Sequence, residues 1–127
     1  MKLNPRESVI FAEDFQAMKA WYRDVLGFAV TRSHEEDYHY CNLENEQGIR
    51  LGIADAKEMA VAPSDRQNNS VVLQFEVADV KGFFAYLQEK GGNITFGPSF
   101  DTKNGFWYGG FHDLEGNPFW VVDENCP

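Results

Sequence analysis

A chain of 127 residues, 43% hydrophobic and 15% aromatic, is long enough to bury a core without disulfides or a structural metal, so a single compact domain, residues 1–127, is expected. Twenty acidic against eleven basic side chains give a net charge of -9; a polyanion is repelled, and no Lys/Arg cluster interleaved with aromatics could track a phosphate backbone, so nucleic acid is not expected as a partner. No apolar run approaches the ~20 residues that span a bilayer, so no membrane association is expected either.

The N-terminal stretch MKLNPRESVIF lacks the basic-then-apolar pattern of a secretory signal, which makes the cytoplasm the expected location. Ser8 to Ala12 is a short apolar run with β-branched members and reads as a strand. Phe15, Met18, Tyr22, Val25 and Leu26 then share one helical face, with Asp14 as N-cap and Gly27 as C-cap. Phe28–Thr31, Asp37–Leu43 and Ile49–Ile53 read as three further strands. The first module, about residues 6–54, is therefore β-α-β-β-β. Asp55 to Ser70 carries Pro63 and adjacent asparagines without periodicity, and reads as a connecting loop.

The second module, about residues 71–124, repeats the plan. Val71–Val77 is a strand, and Asp79 caps a helix whose Val80, Phe83, Phe84 and Leu87 lie on one face. Gly91-Gly92 stops that helix, and Asn93–Phe96 forms the next strand. Phe106–Asp123, FWYGGFHDLEGNPFWVVD, is a hairpin closed at Asp113–Asn117, where Gly116-Asn117 tolerates positive φ and Pro118 opens the returning strand. The fold class expected is α+β: two βαβββ modules with mixed sheets, each carrying one helix.

Alternation assigns faces in the fifth strand. Val71, Leu73, Phe75 and Val77 form an apolar set that packs on the helix, leaving Val72, Gln74 and Glu76 opposite. Gln74 and Glu76 either orient a polar ligand or face water. Trp120 shares a face with Pro118 and Val122, as a ligand-stacking surface or as ordinary packing. Trp107, Tyr108 and Phe111 flank Gly109-Gly110, where a ligand or a second backbone could approach; an aromatic pocket and a well-packed edge both fit. Glu7 is a general base if half-buried, or a solvated partner of Arg6. His34, His39 and His112 form no metal-binding signature. Cys41 and Cys126 lack framework spacing and are expected as free thiols.

WYRDVLGF at Trp21–Phe28, the acidic pair Glu13-Asp14 before that helix, and DLEGNPFWVVD at Asp113–Asp123 together resemble the vicinal oxygen chelate superfamily, which includes glyoxalase I, bleomycin resistance proteins, extradiol dioxygenases and fosfomycin resistance proteins. The resemblance implies paired modules whose sheets curl around a cleft, commonly in a homodimer. It also implies metal ligands on the first and last strand of each module, at positions that fall on Glu7, near Leu51, on Val72 and on Trp120. Only Glu7 can bind a metal there, and a catalytic cation generally takes ~3 protein ligands. The expectation is a protein without metal or other cofactor that binds an aromatic or amphipathic small molecule as a homodimer, with Glu7, Gln74, Glu76, Trp107, His112 and Trp120 as ligand-binding candidates. The alternative is a metal-dependent lyase, isomerase or dioxygenase that recruits Glu7 with displaced ligands such as Gln74, Glu76 or His112. Neither reading names a catalytic residue.

Overall fold

A computed structural model describes residues 1–127. The chain forms two compact units, residues 1–64 and 65–127. Each is a βαβββ module with an open four-stranded mixed sheet covered on one face by its helix, so the chain is α+β.

In the first unit β1 (Ser8–Ala12) leads into α1 (Phe15–Asp24), followed by β2 (Ala29–Glu35), β3 (His39–Glu44) and β4 (Arg50–Asp55). The strand order is β1-β4-β3-β2, with β1 parallel to β4 and the other pairs antiparallel. Asp14 caps α1 by accepting from the Ala17 N–H. The helix stops at Asp24 rather than running to Gly27; Gly27 instead supplies a φ of +76° beyond the last turn, where the Phe28 N–H returns to the Tyr22 carbonyl. Phe15, Met18, Trp21 and Tyr22 of α1 are buried, as are Cys41, Leu43, Leu51 and Ile53 of the sheet. Burial pushes the Cys41 thiol up to about 11, which leaves it a core residue and no nucleophile at neutral pH. β2 extends four residues past Thr31, because its polar Ser33 and Glu35 gain partners on α1: Lys19 donates to Ser33 Oγ at 3.2 Å and to Glu35 at 2.9 Å.

The second unit contains a short 3₁₀ turn at Arg66–Asn68, then β5 (Leu73–Glu76), α2 (Val80–Glu89), β6 (Asn93–Asp101), β7 (Phe106–His112) and β8 (Pro118–Val122). Its order is β5-β8-β7-β6, again with one parallel pair, β5 with β8. Asp79 caps α2 through the Gly82 N–H. The expected strand Val71–Val77 shortens to Leu73–Glu76, and Val71 is exposed. β6 continues well beyond Phe96. Gly97, at φ +78°, and Pro98, which lacks an N–H, interrupt its ladder with β7 without ending it, so the register shifts around Phe96 and resumes at Ser99. Phe75, Phe111 and Phe119 stack in the core, and Phe83 of α2 meets Phe111 edge-on at 5.5 Å.

The loop between β7 and β8 is built on one buried carboxylate. Asp113 Oδ1 accepts from the N–H groups of Glu115 and Asn117, and Oδ2 from Asn117 Nδ2 at 2.8 Å. Gly116 takes φ +94° in the same turn. Arg66 Nη1 meets Glu115 Oε1 at 2.9 Å with both side chains nearly buried, which fastens the 3₁₀ turn onto this loop.

Candidate functional site

Register across the second sheet sorts its side chains onto two faces. Gln74 of β5 pairs with Trp120 of β8, which pairs with Gly110 of β7, which pairs with Phe96 of β6. The next row is Glu76, Val122, Tyr108 and Ser99. These residues lie on the face opposite α2, since the alternating Phe75, Phe119 and Phe111 belong to the helix-side core.

Two adjacent glycines in β7 shape both faces. A Cβ on Gly109 would stand 2.5 Å from Phe84 Cζ, and one on Gly110 would stand 2.8 Å from Phe96 Cδ1. Gly109 thus admits the α2 ring on the core side, and Gly110 admits the Phe96 ring on the open side. The room that these glycines leave is filled by the protein's own rings. With Phe96 laid over Gly110, the Trp120 indole meets it edge-on, with ring centres 6.4 Å apart and planes at 88°. Tyr108 lies 6.4 Å from the same phenyl ring. Phe96, Tyr108, Trp120 and Val122 line an apolar depression of about 170 Å³. Trp120 is 50% exposed there although it sits in the middle of a strand between buried Phe119 and Val121.

In the first sheet the face away from α1 carries a polar cluster. Glu7 accepts hydrogen bonds from the Tyr40 hydroxyl and from Asn42 Nδ2, the latter 2.9 Å from Oε1 and 3.1 Å from Oε2. Tyr40 and Asn42 alternate along β3, and Gly52 of β4, the partner of Asn42, leaves the space they occupy: a Cβ there would stand 2.7 Å from Tyr40 Cζ. Burial, and then the hydrogen bond to the Glu7 carboxylate, hold the Tyr40 hydroxyl well above the usual phenol range.

The expected site residues separate on this basis. Gln74, Glu76 and Trp120 lie on one face of the second sheet, and His112 lies on that face beside Pro118. His112 Nδ1 is 2.7 Å from the Asp113 carbonyl oxygen; a carbonyl only accepts, so Nδ1 donates in that contact. Trp107 is on the other face: alternation along β7 places it with Gly109 and Phe111, and Lys81 Nζ of α2 sits 4.2 Å from its ring. Phe111 is wholly buried. Glu7 belongs to the first unit, and its partners are the neutral side chains Tyr40 and Asn42. Tyr108, one of the aromatics expected around Gly109-Gly110, lies on this face, and Phe96 joins it without having been expected there. The Gly109-Gly110 pair is the one sequence signal for Phe96, and it does not say which ring fills which gap.

A metal does not fit the positions that the fold reserves for one. Leu51 faces the α1 core at 1% exposure, so the fourth-strand position does not present Leu51 to the open face at all. Val72 and Trp120 have no donor for a cation, and Glu7 already accepts from Tyr40 and Asn42. Nowhere in the chain do three His, Cys, Asp or Glu side chains gather in a metal-binding group.

The doubled βαβββ plan, with helices on one face of each sheet and the site-bearing face open, defines the class. Residues 6–121 match the profile of the Glyoxalase/Bleomycin resistance protein/Dioxygenase superfamily, and the chain belongs to that family. Among solved structures it resembles UcmS2 (TM-score 0.81, 15% identity, 96% of this chain and 98% of the other). It also resembles lactoylglutathione lyase from Agrobacterium tumefaciens (TM-score 0.69, 18% identity, 96% and 94%) and the fosfomycin resistance protein FosX from Listeria monocytogenes (TM-score 0.75, 10% identity, 97% and 94%). At these identities the likeness is one of fold. No curated protein matches the sequence. No helix is long and apolar enough to cross a membrane.

Proposed function

We propose that this family member is a small-molecule binding protein that works without a resident metal and takes an aromatic or amphipathic ligand on the open face of its second sheet. The observation that carries the reading is Trp120. An indole at mid-strand, half exposed beside an apolar depression and braced edge-on by Phe96, presents a rigid flat surface to a ring. Gln74, its partner on β5, can fix the polar end of such a ligand. The donor-poor metal positions support the metal-free half of the proposal. We further propose that it acts as a homodimer, since sheets open on one face commonly complete their sites across a two-fold interface; a solution mass of one chain, 14.5 kDa, at all concentrations would refute that.

The test is titration with a neutral bicyclic aromatic, 2-naphthalenemethanol, followed by the three tryptophan indole N–H resonances. The Trp120 resonance should shift in a saturable way, while Trp21, buried on α1, and Trp107, beneath Lys81, should stay in place. Absence of any Trp120 shift at millimolar ligand would sink the proposal.

A further inference from the structure

The charge of the second sheet's open face narrows the ligand further. The four Lys and Arg residues within 65–127 are Arg66, Lys81, Lys90 and Lys103, and none of them occupies a strand position of this face. Arg66 is held by Glu115 beside the β7–β8 loop. Lys81 lies over Trp107 on the helix side, and Lys90 lies 5.9 Å from the Tyr86 ring of α2. Lys103 is in the turn between β6 and β7, where its N–H donates to Asp101. The face itself carries the exposed Glu76 carboxylate, the His112 imidazole, the Gln74 amide, and the π surfaces of Trp120, Phe96 and Tyr108. Asp101 ends the same strand face, with its carboxylate engaged by Lys103 and Asn104 of the turn.

Every strong electrostatic feature here favours positive charge. A cation gains from the negative face of an indole ring and from a carboxylate one strand away. A carboxylate, phosphate or phosphonate meets no Lys or Arg among the strand residues of this face, and Gln74 is the one side-chain amide donor in the central row. The net charge of -9 acts in the same direction at longer range.

We propose that this face selects ligands that join an aromatic ring to an ammonium or amidinium group, with the ring against Trp120 and Phe96 and the cation toward Glu76. The inference rests on the aromatic-binding reading above and adds the charge of the ligand to it. Three probes of one shape test it by calorimetry at low salt: 2-naphthalenemethanamine, which is cationic, neutral 2-naphthalenemethanol, and anionic 2-naphthoate. The cation should bind at least about tenfold more tightly than the anion, with the alcohol between them. Glu76→Gln, at an exposed strand position, should shrink that ratio severalfold. Raising the ionic strength should also shrink it. If all three bind alike, or the anion binds best, with the Trp120 resonance shifting in each case, the charge inference is overturned and the aromatic site stands. If none binds, or binding leaves Trp120 undisturbed, both fall.

Discussion

The two modules repeat one backbone plan and finish it with opposite chemistry. Each places a glycine in an inner strand of its sheet, Gly52 in β4 and Gly110 in β7, and each uses the gap to admit side chains onto the open face. In the first module the gap receives Tyr40 and Glu7, which satisfy one another and Asn42. A polar cluster closed in this way has little left to offer a ligand. In the second module the gap receives the Phe96 ring, which has no hydrogen-bonding capacity to close, so Trp120 beside it stays half exposed. Internal duplication fixes where side chains can go, and the residue type entering the gap decides whether the face is satisfied or available.

Adjacent Gly109 and Gly110 give the sharpest way to break this comparison. Gly109→Ala drives a methyl into Phe84, which is 2% exposed and cannot retreat, and to within 2.9 Å of the Phe96 carbonyl. Overpacking of this kind costs about 1–3 kcal/mol, so a thermal melt should fall by roughly 4–8 °C per kcal/mol, less if the 127 residues melt as one unit. Gly110→Ala meets the Phe96 ring instead, which is 42% exposed and can swing into solvent. Its stability loss should stay within about 1 kcal/mol, yet it should dismantle one wall of the depression and weaken aromatic binding. Equal destabilisation by the two variants would show that Phe96 is as fixed as Phe84.

Those glycines also show where sequence reading ends. Amphipathic spacing, the caps Asp14 and Asp79 and the hairpin Phe106–Asp123 were all legible, because each is local and has one physical solution. Alternation likewise put Gln74, Glu76 and Trp120 on one face. The glycine pair was ambiguous, since a missing Cβ reports that something approaches closely without identifying it; Phe84 and Phe96 come from elements outside the hairpin. Trp107 was misgrouped with the pocket because aromatic density along β7 hides the fact that successive rings face opposite ways. The polar cluster was hidden for a different reason. Tyr40 and Asn42 alternate with Cys41 and Leu43 in plain view, but their partner Glu7 lies 33 and 35 positions away. A position given only as near Leu51 leaves the face open, since Leu51 is buried in the core and its neighbour Gly52 meets Tyr40 and Glu7, and in a strand one residue is the whole difference between core and open face.

Trp120→Ala tests the second module's face directly. It removes a stacking surface worth roughly 0.5–1.5 kcal/mol beyond its area, so aromatic affinity should fall about threefold to tenfold. Stability should change little, the ring being half in solvent. Calorimetry on the variant checks the first statement and a melt the second; a large loss of stability would mean that the indole is structural.

The first module has a matching titration. Tyr40 is held above the ordinary phenol value of 10.0 by burial and by Glu7. A folded-state value raised above the unfolded one contributes stability that is fully present below pH 10.0 and is lost as the pH rises beyond it. In protein labelled at the tyrosine ring carbons, the Tyr40 resonance should remain that of the neutral phenol where exposed tyrosines ionise. Glu7→Gln removes the charge that disfavours the phenolate and should move the Tyr40 titration down. A Tyr40 that ionises together with exposed tyrosines would mean that the Glu7 cluster is open to water.

The smallest expected effect is that of a chelator. If Glu7 were a metal ligand in working protein, its carboxylate would have to exchange Tyr40 or Asn42 for a cation, and two or more further donors would have to come from positions where Val72, Trp120 and helix-facing Leu51 supply none. Any ion that binds only the folded state raises stability by an amount set by its concentration over its dissociation constant, so stripping a tight one lowers the melting temperature by several degrees. Protein purified without chelator should therefore carry far less than one equivalent of zinc, nickel, iron or manganese by elemental analysis, and excess EDTA should leave its melting temperature unchanged. About one equivalent of metal, together with a drop on chelation that Glu7→Gln reproduces, would make the polar cluster of the first module a metal site and reverse the contrast between the two faces.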